Sequence, residues 1–252
     1  MSGEWAVDIR ELSYRYPDGT SALEGINLSI ARGESVALIG PNGAGKSTLL
    51  LHLNGILRGQ QGEVKILGEP VNSRNIKRIR SLVGLLFQDP EDQLFCPTLY
   101  QDIAFGPANL KLPSDVVHQR VKEALSRVGL SGLEGKVPHH LSAGQKKRAA
   151  LASVLAMEPE ILALDEPTSH LDPQGARDFI DLIQSLPATK LLITHELPLA
   201  LELCQRIIVL ESGHIRLDLS VDDLPEHESV LEDYPLYFGY NCKFCLGMKV
   251  KP

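Results

Sequence analysis

The residues Gly40-Pro41-Asn42-Gly43-Ala44-Gly45-Lys46-Ser47 have the composition and spacing of a complete phosphate-binding loop. Its glycines let backbone N–H groups converge on phosphate oxygens without side-chain clashes. A helix N-terminus directly after it adds partial positive charge. Lys46 is spaced to reach β- and γ-phosphates, and the Ser47 hydroxyl to ligate Mg²⁺. A plain glycine-rich turn is the bland alternative, and the buried strand before the loop and the helix after it weigh against it. Downstream, Asp165-Glu166 ends the apolar run Ile161-Leu162-Ala163-Leu164. Two acids after a short strand are commonplace in loops. Behind a phosphate loop they read as a hydrolytic pair: Asp165 holds Mg²⁺, directly or through water, and Glu166 accepts a proton from the attacking water or orients it.

These groups need a scaffold, and the apolar periodicity supplies one. Val7, Ile9, Leu12 and Tyr14 alternate as an opening strand, and Tyr16-Pro17-Asp18-Gly19 is a turn. Ile26, Leu28 and Ile30 alternate again. Ser35–Ile39 is a buried strand that runs into the loop, and a helix follows from about Lys46 to Asn54. Ser114 reads as the N-cap of a helix whose apolar face is Val117, Val121, Ala124, Leu125 and Val128, closed by Gly129. A helix after Ser142 carries Lys146-Lys147-Arg148. Pro173–Leu186 is a helix, Leu191–Ile193 a strand, Pro198–Cys204 a helix. Ile207–Leu210, a turn at Glu211–His214 and Ile215 make a hairpin. Strands alternating with helices imply an α/β fold with a largely parallel sheet. From about Pro90 to Ala156 there are helix signals and no convincing strand, so that stretch reads as an inserted helical subdomain.

Leu141-Ser142-Ala143-Gly144-Gln145 resembles the signature of ABC-type ATPases, with Ala143 in place of the commoner glycine. The resemblance covers roughly residues 5–217 and implies a P-loop NTPase core with an N-terminal antiparallel β part. It implies that ATP and Mg²⁺ are bound by the loop from Gly40 through Thr48, with Ser47, Gln88 and Asp165 as Mg²⁺ ligands. Tyr16 matches the aromatic that stacks on adenine, and its alternative is a core or turn aromatic. Gln88 matches the glutamine that contacts Mg²⁺ and relays to the membrane subunit, and its alternative is a surface residue. His195 matches the histidine near the γ-phosphate, and its alternative is a cap for the helix near Glu196. Lys46, Gln88, Glu166 and His195 would carry the chemistry. Two such subunits, identical or different, would pack head to tail, so that Ser142, Ala143, Gly144 and Gln145 serve the partner's ATP.

Gln88-Asp89-Pro90-Glu91-Asp92-Gln93-Leu94-Phe95, with Asp102-Ile103-Ala104-Phe105-Gly106-Pro107-Ala108-Asn109, is similar to the ATPases of energy-coupling-factor importers, which take up vitamins or cobalt and nickel ions. That branch implies a transmembrane coupling protein docking at Gln88–Phe95, a separate substrate-capturing membrane protein, and a place on the cytoplasmic face of the cell membrane. The acids Asp89, Glu91 and Asp92 could instead be a solvated turn. The ATPase domain would span 1–217 and a tail of unclear fold 218–252.

The rest of the composition is permissive. At 252 residues the chain can bury about 70–75% of its unfolded surface and needs no disulfide or metal to fold. A net charge of -7 argues against a nucleic-acid partner, which usually meets a basic face. Cys96, Cys204, Cys242 and Cys245 show no framework spacing, which fits a reducing compartment. Cys242 and Cys245 are half of a metal-site spacing, with His227 upstream and no second pair. The N-terminus shows no signal-peptide pattern, and no apolar run approaches the roughly 20 residues that span a bilayer. Non-transport relatives of DNA repair carry a long coiled-coil insertion between loop and signature, and those of translation carry two cassettes; this chain has neither. A degenerate ATP-binding adaptor would lack a catalytic group, whereas Lys46, Asp165, Glu166 and His195 are all present.

Overall fold

The computed structural model describes residues 5–226. In chain order they form β1 (Trp5–Arg15), β2 (Ser21–Ala31), β3 (Ser35–Ile39), α1 (Lys46–Leu53), β4 (Gln61–Ile66) and β5 (Glu69–Pro70). Next come α2 (Ile76–Leu82), β6 (Val83–Leu86), α3 (Leu99–Asn109), α4 (Ser114–Arg127), α5 (Ala143–Leu155), β7 (Ile161–Asp165) and α6 (Pro173–Ser185). The last are β8 (Thr189–Ile193), α7 (Leu197–Leu203), β9 (Arg206–Glu211) and β10 (His214–Ser220), with short 3-10 turns at Pro90–Asp92, Pro138–His140 and Val221–Glu226. The chain divides into two compact units, one ending at Pro70 and resuming at Thr189, the other spanning Val71–Ala188. His227, Cys242 and Cys245 lie outside the described residues, as does most of the tail.

The first unit holds two sheets. In the antiparallel one, β1 lies between β2 and β4, with Val7 opposite Ile30 and Ile66. The alternation read along β1 is burial: Val7, Ile9 and Leu12 are at most 1% exposed. In the other sheet β3 runs parallel to both β8 and β9, pairing Ala37 with Leu192 and with Ile207. A strand flanked on both edges and covered on both faces has no solvent side, which is why Val36, Ala37, Leu38 and Ile39 form an unbroken apolar run at 0% exposure. Burying Val36, Leu38 and Ile39 contributes about 1.5–3 kcal/mol each. The hairpin β9–β10 closes on Ser212 and Gly213, both at positive φ, the geometry of a type I′ turn. It runs on to Ser220, beyond Ile215.

In the second unit β6 pairs in parallel with β7, Val83 opposite Ile161 and Leu86 opposite Leu164. Between them in sequence every element is helical. The apolar face read on α4 is buried at Val117, Val121, Ala124 and Leu125. Ser114 is not its N-cap: the helix already includes Ser114, and the capping position is Pro113, which has no side-chain cap. Proline fixes φ near the helical value and needs no donor there, so the first turn starts one residue earlier than a serine cap would set it. At the other end Gly129 takes φ 71, the left-handed residue that stops the helix. α5 passes close over β6: a Cβ on Gly84 would lie 2.3 Å from Val154 Cγ1. Among the described residues no helix is long and apolar enough to cross a membrane.

Candidate functional site

In the first unit, β3 ends at Ile39 and the loop Gly40–Gly45 turns the chain into α1. Two glycines are required by the packing. Gly40 has φ 144, and a Cβ there would lie 2.0 Å from the Leu210 carbonyl oxygen. Gly45 has φ 105, and its Cβ would lie 2.3 Å from the Ala22 carbonyl oxygen. Gly43 differs: φ is 79, but a Cβ would meet nothing within 4 Å. The β9–β10 turn braces the loop from the side, with Gly213 N–H donating to the Ala44 carbonyl at 3.1 Å. Lys46 Nζ donates to the carbonyls of Gly40 (2.8 Å) and Pro41 (2.9 Å), which curls the ammonium over the loop. Asn42, Gly43 and Ser47 are exposed, whereas Ala44 and Thr48 are buried.

Tyr16 stands beside the start of α1. Its hydroxyl is 3.0 Å from Thr48 Oγ1, and its ring meets Tyr14 edge to face at 5.1 Å. The Tyr16 turn is held by Tyr16 N–H to the Thr20 carbonyl and Gly19 N–H to the Tyr16 carbonyl, both 2.9 Å. Gln60 fixes the preceding residue with both ends of its amide: Arg15 N–H donates to Oε1 at 2.8 Å, and Nε2 donates to the Arg15 carbonyl at 2.7 Å. Tyr14, Arg15, Tyr16, Pro17 and Gln60 line an open cleft there. Beneath, His52 is 1% exposed, with Nδ1 2.7 Å from the Thr48 carbonyl and the Tyr14 ring at 4.9 Å. Burial pushes its pKa down, against the Thr48 hydrogen bond. His195 is exposed in the short link between β8 and α7.

In the second unit, β7 delivers Asp165 and Glu166 at its C-terminal end. Asp165 is half-buried and Glu166 buried. Glu166 has φ 43, a left-handed conformation that a glutamate adopts only when its surroundings impose it. Its carbonyl is the anchor, receiving Ser169 Oγ at 2.8 Å, Ser169 N–H at 3.1 Å and Lys147 Nζ at 3.2 Å. The Lys147 ammonium also donates to the Gln88 carbonyl at 2.5 Å and to Ser169 Oγ at 3.2 Å. Lys147 is 1% exposed. Burial pulls its pKa down to about 8, opposed by the fields of Asp89, Asp165 and Glu166. Gln88 and Glu166, far apart in sequence, are thus brought together through their backbones.

α5 begins with a capping box: Ser142 Oγ accepts from Gln145 N–H at 3.3 Å, and Gln145 Oε1 accepts from Ser142 N–H at 3.0 Å. The signature's serine and glutamine therefore build the helix start themselves. Ser142 and Ala143 are exposed. A Cβ on Gly144 would meet only Leu171 Cδ2 at 3.9 Å, ordinary contact distance, so packing within the chain does not demand glycine there.

The segment after Gln88 is strapped to the same helix. Glu91 pairs with Lys146 at 2.5 Å, and Gln93 Nε2 donates to the Ala150 carbonyl and to Ser153 Oγ, both at 2.9 Å. Asp89 Oδ1 accepts from Glu91 N–H at 2.8 Å and caps the 3-10 turn. Two of the three acids are therefore engaged inside the chain, which alters the picture of an open acidic cluster. Farther on, buried Asp102 accepts from Phe95 N–H and Cys96 N–H, both at 2.9 Å, and so fixes an exposed edge-to-face pair, Phe95 with Phe105 at 5.1 Å. Sequence reasoning assigned no role to Lys147, Gln60 or Gly213.

The ABC transporter family model matches residues 23–169. An energy-coupling factor transporter ATP-binding protein, EcfA, from Methanothermobacter thermautotrophicus is 52% identical over 214 residues, 83% of this chain and 69% of that protein. The solved structure of cbiO1 from Clostridium perfringens, described as part of the ABC transporter complex cbiONQ, has a TM-score of 0.80 at 40% identity, covering 91% of this chain and 94% of that one. A dimeric ATP-binding cassette in a post-hydrolysis state with ADP and Pi has a TM-score of 0.76 at 27% identity, covering 85% and 98%.

Proposed function

From the premise that this chain belongs to the ABC transporter ATP-binding family, we propose that it hydrolyses ATP to drive an importer of the energy-coupling-factor type. The observation that carries the reading is the braced loop Gly40–Gly45 feeding α1. It pairs left-handed glycines that packing requires with Lys46 curled over the loop, and so prepares backbone N–H groups and one ammonium for phosphate oxygens.

Each residue then has a task. Tyr16 offers its ring to adenine, and Thr48 holds that ring by its hydroxyl. Ser47, Gln88 and Asp165 supply hydroxyl, amide and carboxylate oxygens, a donor set that suits Mg²⁺ completed by phosphate oxygens. Mg²⁺, when bound, neutralises charge on the phosphates. Glu166 takes the proton of the attacking water or orients it, and His195 steadies the γ-phosphate. Ser142, Ala143, Gly144 and Gln145 present a capped, exposed helix start to the ATP of a second subunit, identical or related. Support comes from a Gly144 that packing leaves unexplained and from the dimeric cassette with ADP and Pi.

Residues 90–156 serve as an inserted helical subdomain of an ATPase domain spanning 1–217. The exposed Phe95–Phe105 pair beside the Gln88 segment is the surface for a transmembrane coupling protein on the cytoplasmic face of the membrane. A separate membrane protein captures the substrate. Cobalt or nickel ions, or a vitamin, rest on the resemblance of 88–95 and 102–109 alone.

The test is Glu166→Gln. Steady-state hydrolysis should fall roughly 10²–10⁴-fold while an ATP analogue binds as before, because the amide keeps the shape and loses the base. Near-normal turnover removes Glu166 from this role.

A further inference from the structure

We infer that Lys147 is a positioning residue for hydrolysis: its buried ammonium fastens the Gln88 segment to the Glu166 carbonyl and the Ser169 hydroxyl, and thereby fixes where the Glu166 carboxylate stands. This rests on the reading of Glu166 as the group that activates water.

Three observations carry it. Lys147 is 1% exposed, and the three acceptors of its ammonium lie at 2.5, 3.2 and 3.2 Å. None is a carboxylate, so the lysine holds two backbone carbonyls and a hydroxyl rather than closing an ion pair. A buried ammonium is costly to desolvate, and an apolar side chain of the same length would fill the space without that cost. Secondly, the acceptors come from the segment of Gln88, from the end of β7, and from the loop that follows Glu166. One group on α5 therefore sets the spacing of all three.

The third observation is Glu166 itself. Its left-handed backbone at φ 43 is a strained conformation held from outside. Two donors on its carbonyl come from Ser169, and Lys147 also holds Ser169 Oγ. Lys147 thus acts on the strained residue directly and through its neighbour. Its side chain donates to the backbone of Glu166 and not to the carboxylate, so removal should move the carboxylate without deleting it. The loss should therefore fall on turnover and spare binding. Lys146, the adjacent residue, pairs instead with Glu91 on the same segment from the exposed side.

The experiment uses the purified full chain. Steady-state hydrolysis, equilibrium binding of an ATP analogue and thermal melting are measured for Lys147→Met and Lys147→Arg. A displacement near 1 Å costs on the order of 10²-fold in a positioned reaction. For Lys147→Met we expect kcat to fall about 10–100-fold, analogue affinity to stay within about threefold, and Lys147→Arg, which keeps cation and donors, to regain most of kcat. If the methionine variant does not fold, Lys147→Gln is read against the same thresholds. A kcat within about threefold of the parent, or equal losses of kcat and affinity that track a lower melting point, overturns the inference. Glu166→Gln is run alongside. Turnover kept there sinks the reading of Glu166, whereas turnover lost there and kept in Lys147→Met sinks the role of Lys147 alone.

Discussion

Two glycines of the phosphate loop should fail for different reasons when given a methyl group. Gly43→Ala places a Cβ at φ 79 where no atom lies within 4 Å. Its cost is conformational, about 1–2 kcal/mol for an L residue in the left-handed region. Gly45→Ala adds a Cβ at φ 105 that lies 2.3 Å from the Ala22 carbonyl oxygen and 3.0 Å from Leu23 Cδ2. A carbonyl in a paired strand cannot step aside as a side-chain end can, so a further 1–3 kcal/mol or so of overpacking applies. In a chain of this size each kcal/mol lowers the melting temperature by about 2–4 °C. Gly43→Ala should therefore melt about 2–8 °C low and Gly45→Ala about 4–20 °C low, both read by circular dichroism without nucleotide. In Gly43→Ala the main damage should appear instead in titration with an ATP analogue, as an affinity loss of about tenfold or more, because the methyl projects from a loop whose backbone must approach phosphate. Equal melting losses, or a Gly43→Ala that binds normally, refute the division of labour.

Ser142→Arg should lose the helix cap, costing about 0.5–2 kcal/mol, and still bind nucleotide. It should fail to form the ATP-bound dimer in a Glu166→Gln background; a full dimer peak by light scattering counts against a shared site. His52 supplies a pH dependence. Its folded pKa lies below the ordinary 6.5, so the unfolded chain takes up a proton that the folded state resists. The stability it contributes is complete above about 6.5 and declines as pH falls below that. His52→Asn, which keeps a donor near the Thr48 carbonyl, should show a smaller melting loss between pH 7.5 and 5.5 than the parent. Identical losses exclude His52 as a source of acid sensitivity.

Patterns that repeat locally were legible. β3 announces itself by the unbroken apolar run Val36–Ile39, α4 by its stripe, and the β9–β10 turn by Ser212-Gly213. The start of α5 was visible as Ser142 followed three positions later by Gln145. What stayed hidden depends on partners distant in sequence. α2 buries only Ile79, so it carries no stripe, and β6 is four residues interrupted by Gly84, which imitates a turn. That glycine exists because Val154 on α5 passes within 2.3 Å of where its Cβ would be, a fact local reading cannot supply. The acids after Gln88 looked like one open patch, yet Glu91 is engaged by Lys146. Reversing Glu91 to lysine would therefore set two ammonium groups against each other as well as alter any docking face. Lys147 was read as one member of a basic triplet, since nothing in Lys146-Lys147-Arg148 marks the middle residue as buried.

The brace on the phosphate loop also sets an order in time. The loop is made early in synthesis, but the Leu210 carbonyl that closes on Gly40 and the Gly213 N–H that holds Ala44 are made about 170 residues later. At roughly 5–20 residues per second, the loop leaves the peptidyl-transferase centre about 10–30 s before its supports exist. During that interval the glycines that suit the finished loop leave it with more freedom than any other composition would. A nascent chain lacking β9 and β10 thus carries the whole nucleotide motif without the Leu210 and Gly213 contacts that brace it.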